Sequence, residues 1–171
     1  MILRYLIILL ILLPIKAFAL IEVDITRGNL NPLPIAVSPL SIDEKSKNSF
    51  NKILKKENIG AEISTIVENN LRQSGLFNPL NKDAFLQKPD IANLKPRFDD
   101  WNLIKAQVLI TGKVTFIDEN LRVEFRLWDV LGGKEMKALA FTTVPSNWRR
   151  VGHIITDKVY ETLTGEKGYF D

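Results

Sequence analysis

The chain has 171 residues, 46% of them hydrophobic, with one His and no Cys. The missing Cys excludes disulfides, thiol chemistry and thiolate metal sites. The formal charge of +3 includes Arg4 and Lys16 from the first 19 residues; without these, 21 basic residues face 20 acidic ones, which gives no electrostatic footprint for nucleic acid.

Residues 1–19 have the three-part layout of a secretory signal peptide. "MILR" is a short positive start. "YLIILLILLPI" is an apolar run of 11 residues. Ala17-Phe18-Ala19 is a small-x-small cleavage pattern. A membrane anchor is the alternative, but the run falls short of the roughly 20 residues a span needs, and Pro14 interrupts it. No Cys follows the cleavage site, which argues against a lipoprotein. The mature chain is then Leu20–Asp171, with no stable membrane span. Export without Cys leaves the core to hold the fold unaided.

"LIEVDITRG" (20–28) alternates. Ile21, Val23 and Ile25 share one face, and Glu22, Asp24 and Thr26 the other, as in a half-buried strand. Pro32 and Pro34 keep the next residues extended. "PIAVSPL" (34–40) is more uniformly apolar and reads as a central strand. "SIDEKSKNSFNKILKKENIG" (41–60) reads as a charged loop with a weak helical piece around Phe50–Lys56. "AEISTIVENNLRQSG" is a clear helix on Ile63, Val67 and Leu71, stopped by Gly75. The chain leaves it through Asn78-Pro79. Residues 88–106 read as a loop punctuated by proline, then a short helix around Phe98–Lys105.

Three strands follow. "QVLITGKVTFI" (107–117) turns at Asp118-Glu119-Asn120. "LRVEFRLWDV" alternates, with Leu121, Val123, Phe125 and Leu127 on one face. Leu131-Gly132-Gly133 returns the chain into "KEMKALAFTTV" (134–144). Two hairpins in succession make an antiparallel meander. In the last helix, Trp148, Val151, Ile155, Val159 and Leu163 form one stripe to lie on the meander. Ser146 or Asn147 can cap it, and Gly165 stops it. The fold class is α/β, more narrowly an α+β mixed sheet. It is a single three-layer-like domain, with helices packed on a sheet that ends in a meander and a C-terminal helix. Residues 20–165 are the domain and 166–171 a linker.

No catalytic motif is present: no H-E-x-x-H, no G-x-S-x-G and no G-x-x-x-x-G-K-[ST]. Gly132-Gly133-Lys134 is a hairpin turn. No cofactor or metal set emerges, and the chain does not read as an enzyme. His153 lies about 140° around its helix from Trp148 at 100° per residue. It reads as half of a surface pair with Asp157, not as a catalytic relay. Trp148 and Phe125 read as core. Trp128 falls on the polar face of its strand and reads as covered by another layer. Lys52, Lys55 and Lys56 read as a solvated face.

Four blocks then carry a resemblance: "IEVDITRGNLNPLPIAVSPL" (21–40), "NNLRQSGLFNPL" (69–80), "WNLIKAQVLITGKV" (101–114) and "WRRVGHIITDKVYETLTGEKGYF" (148–170). In order and spacing they resemble the amino-terminal domain of the TolB family of the Tol-Pal system. The resemblance implies a non-enzymatic periplasmic protein of Gram-negative bacteria. It implies a part in outer-membrane integrity and in constriction at cell division. It also implies that the mature amino terminus, here Leu20, Ile21, Glu22, Val23, Asp24, Ile25 and Thr26, contacts TolA. In the family a six-bladed β-propeller follows and carries most of the Pal-binding surface. No such repeats occur here, so Pal binding is carried onto no residue, and 166–171 is a linker toward an absent propeller. A truncated or split gene product and a stand-alone short protein both fit. The other reading is an exported α/β binding module of another class, an RNA-binding-like fold reused for protein binding.

Overall fold

A computed structural model describes residues 31–171. Ala17, Ala19 and the expected strand at 20–28 lie outside the described residues. The described chain opens with β1 (Leu33–Val37) and a two-residue strand, β2 (Ser41–Ile42). Then come α1 (Glu44–Leu54), α2 (Ile59–Gln73), β3 (Phe77–Pro79), α3 (Pro89–Leu94) and α4 (Phe98–Leu103). The meander β4 (Val108–Ile117), β5 (Asn120–Asp129) and β6 (Lys134–Thr143) leads into α5 (Trp148–Thr164).

The sheet order is β3-β1-β4-β5-β6, with β2 also paired to β4. β1 runs parallel to β3 and to β4, with Ile35 opposite both Pro79 and Val108. β5 is antiparallel to both its neighbours. The sheet is therefore mixed, as its sequence predicts. Hydrophobic residues run through β1 because it is central and covered on both faces. β4 changes character along its length: Val108–Gly112 is buried without a break, and the far half alternates. One face of the sheet is covered only at the Val108 end.

Two apolar clusters explain this. On one face, α1, α2 and α5 pack on the sheet through Phe50, Ile63, Val67, Trp148, Ile155 and Val159. On the other, the shorter α3 and α4 cover only one end, around Trp101, Leu109 and Val130. Trp101 is 1% exposed and donates its indole N–H to Gln87 Oε1 at 3.0 Å. Gln87 also accepts from Arg97 N at 2.9 Å and donates to Lys95 O at 3.0 Å, so one side chain ties both short helices together. Trp128 is half-buried under this layer, edge-on to Phe98, with its N–H on Thr111 Oγ1 at 2.9 Å.

The structure corrects several expectations. The stretch 41–60 contains a full helix, α1, and not a weak piece at 50–56. Asp43 caps it by accepting from Ser46 N at 2.9 Å. Only Ser46 and Phe50 of α1 are buried, so the apolar stripe was too thin to read. Phe77–Pro79 is a parallel edge strand and not merely an exit. Residues 89–94, expected as loop, form α3, with Pro89 in its first turn, where the missing N–H costs nothing. Asn147 stands at the N-cap of α5 without a side-chain cap bond. Its amide instead donates to Thr143 Oγ1 at 3.0 Å. The β4–β5 turn is made by Asp118 and Glu119, at φ 47° and 64°, the left-handed pair a two-residue hairpin requires. Asn120 already belongs to β5.

Candidate functional site

The expected partner-binding residues, Leu20, Ile21, Glu22, Val23, Asp24, Ile25 and Thr26, lie outside the described residues. Among the described residues, polar side chains converge on α5. This helix crosses α2 closely because Gly152 presents no side chain there. A Cβ on Gly152 would stand 2.8 Å from Ile66 Cγ2.

Beside that crossing, Asn70 Nδ2 lies 2.9 Å from His153 Nδ1 and donates to Thr156 Oγ1 at 3.2 Å. Thr156 in turn donates to Gly152 O at 2.8 Å. This chain fixes the Asn70 amide, so His153 Nδ1 is the acceptor and Nε2 carries the proton. The surface pair expected between His153 and Asp157 is not what forms. His153 bridges two helices, and Asp157 serves the residues after α5. The reason is geometric: α2 packs against this side of α5 and offers an amide where open solvent was expected.

Asp157 Oδ1 accepts from Phe170 N at 2.8 Å, and Oδ2 from Asp171 N at 3.2 Å. Arg150 grips Asp171 with two bonds, at 2.8 and 3.0 Å. The Arg150 bond holds the Asp171 carboxyl below its usual pKa. Tyr160 meets Tyr169 and Phe170 edge-on at 5.5 and 6.0 Å. Burial, then Tyr169 and Glu166, push the Tyr160 phenol up. The stretch expected as a linker thus lies back along α5.

On the other side of His153, a groove of about 730 Å³ opens between α2 and the start of α5. Lys55, Lys56, Trp148 and Arg149 line it. The Arg149 guanidinium lies 4.2 Å from the Trp148 ring centroid, and Lys56 Nζ lies 5.7 Å from it. Lys56 is also paired with Glu62 at 2.9 Å. The expected solvated lysines therefore include one that rests on a core tryptophan, a contact joining positions 92 residues apart. Among the described residues, no group of three His, Asp or Glu is placed to hold a metal ion, and no helix is long and apolar enough to cross a membrane.

A sequence profile of the TolB amino-terminal domain matches residues 21–136. The "Tol-Pal system protein TolB" of Pelagibacter ubique (strain HTCC1062) is 84% identical over all 171 residues, which span 38% of that protein's length. The crystal structure of TolB from Acinetobacter baumannii superposes with a TM-score of 0.61 at 23% identity. That match covers 80% of this chain and 29% of the other, and supports the fold. With the domain profile matched across most of its length, the chain belongs to the TolB family and carries the family's amino-terminal domain.

Proposed function

We propose that this chain acts as a non-enzymatic periplasmic adaptor of the Tol-Pal system, binding TolA through Leu20–Thr26. On this reading it contributes to outer-membrane integrity and to constriction at cell division. The observation that carries it is the 84% identity to a Tol-Pal system protein along the whole chain. Two physical points support it. A terminal segment has few contacts and detaches at low cost. β1 already has β3 on one side and β4 on the other, so β1 itself offers no free edge. Released, an alternating strand can pair with a partner's sheet edge through its backbone.

The test is a pull-down with the periplasmic part of TolA, using the chain from Leu20 and one lacking Leu20–Arg27. The full mature chain should retain TolA and the shortened one should not. Equal retention by both would sink the amino-terminal mechanism.

A further inference from the structure

β6 is the outer strand of the meander, and no described residue pairs with its far side. The register assigns its backbone direction. Ile117 and Asn120 face each other across a two-residue turn, so they form a hydrogen-bonded pair. The backbone groups of Asn120, Arg122, Glu124 and Arg126 therefore point to β4. Those of Leu121, Val123 and Phe125 point to β6, where they meet Thr143, Phe141 and Leu139. By the same alternation, the N–H and C=O groups of Ala138, Ala140 and Thr142 point outward.

Exposed edges are usually blunted by charge, proline, a bulge or a cover. Here Lys137 and the irregularity opposite Leu127/Trp128 guard only the beginning of β6. "ALAFTT" (138–143) holds no charge and no proline. The side chains of Ala138, Ala140 and Thr142 are exposed and too small to screen the backbone.

The two faces beside this edge differ. Toward α5, a groove of about 450 Å³ is lined by Phe141, Val151 and Ile154. On the opposite face, beyond the cover of α3 and α4, Arg122 stands across from Thr142 and Arg126 from Ala138. The small residues between leave both guanidiniums a path over β6. Their bonds to Glu124 at 3.0 Å and Glu135 at 2.8 Å are exposed pairs, which are worth little and exchange readily. Lys113, opposite Glu124, adds to the positive side.

We infer that β6 is a docking edge for an extended strand of a partner protein that alternates aliphatic with acidic residues. Its backbone pairs with Ala138, Ala140 and Thr142. Its aliphatic side chains enter the groove against Phe141 and Ile154, and its carboxylates meet Arg122 and Arg126 on the other face. Such pairing gains affinity from the main chain and selectivity from alternate side chains. The inference is independent of the role given to Leu20–Thr26.

The experiment titrates the isotope-labelled chain from Leu20 with the peptide acetyl-Val-Glu-Val-Asp-Val-Glu-Val-amide, and with the same peptide bearing Lys at the acidic positions. Amide exchange is read by NMR. The acidic peptide should slow exchange at Ala138, Ala140 and Thr142 at least tenfold, and the Lys peptide should bind at least tenfold more weakly. A140P removes only an outward N–H, which an edge strand tolerates, and should abolish binding with the melt unchanged. R126E, on an exposed side chain, should narrow the preference for the acidic peptide. Unchanged exchange at millimolar peptide, or equal binding by a folded A140P, would overturn the proposal. So would protection of these amides without peptide, if dilution removes it (a second copy) or deletion of Leu20–Arg27 removes it (the chain's own segment).

Discussion

Asp157 holds Phe170 by its backbone: the N–H reaches Oδ1 at 2.8 Å, across the end of α5. Asp171 adds a second N–H to the same carboxylate at 3.2 Å. The approach is close enough that a Cβ on Gly168 would lie 2.3 Å from Asp157 Oδ1. Asp157→Ala should raise amide exchange at Phe170 and Asp171 at least tenfold and cost about 1 kcal/mol of stability, as expected for half-exposed bonds to a charged acceptor. Exchange measured by NMR and urea unfolding check the two parts.

Glu68 receives Arg72 and Lys82, each at 2.7 Å. Burial pushes its carboxyl up, but the bonds from Lys82 and Arg72 outweigh this and leave it below the ordinary value of 4.5. Its folded pKa is thus below its unfolded one. The stabilisation is present above the unfolded value and is lost as pH falls through the folded value. Glu68→Gln should cost about 1 kcal/mol at neutral pH, and the gap from the parent should close on acidification below 4.5. Urea midpoints at neutral pH and near pH 3 test the sign.

Gly152 and Ile66 should be strongly coupled. Gly→Ala in a helix interior ordinarily stabilises by about 1 kcal/mol. Here the new methyl would meet Ile66 Cγ2 at 2.8 Å and Cβ at 2.9 Å. Overpacking of this kind costs about 1–3 kcal/mol, so Gly152→Ala should destabilise. Adding Ile66→Ala removes the Cγ2 contact but leaves Cβ at 2.9 Å, so it should recover only part of that loss. A double-mutant cycle by thermal or urea unfolding should return a coupling of about 1 kcal/mol or larger.

Gln87→Ala should be among the more damaging single changes outside the aliphatic core. It would strand the Trp101 indole N–H and the Arg97 amide, both now held by Gln87 Oε1. Trp101 is 1% exposed, so water cannot replace the partner. A loss of about 2–3 kcal/mol is expected, read as a lowered urea midpoint. Gln87→Glu should not rescue the site, since it buries a carboxylate and turns an oxygen toward Lys95 O, which Gln87 Nε2 now satisfies.

The meander and its helix were legible because their signals are local. β5 alternates without a break, and the α5 stripe repeats every three or four residues. α1 was harder because Phe50 is its one large buried side chain. β3 has three residues and ends in proline, so it gives no period to read; only its pairing with Leu33 and Ile35 makes it a strand. The His153 partner lies 83 positions away on another helix, beyond any spacing rule. The expected TolA segment rests on resemblance, since alternation alone describes any edge strand.

The mixed sheet divides the chain by how far apart in sequence its neighbours lie. β4, β5 and β6 join through turns of two to four residues, and such hairpins close in microseconds. β1 meets β4 at Ile35 and Val108, about seventy positions apart, and that closure is entropically costly before it is rewarded. The meander and α5 are therefore expected to form the nucleus, with β1 threading between β3 and β4 late. Until it does, one side of β4 stands open to any strand that reaches it first. Substitutions at Ile35 should then speed unfolding with little change in the folding rate, whereas those at Phe125 should slow folding.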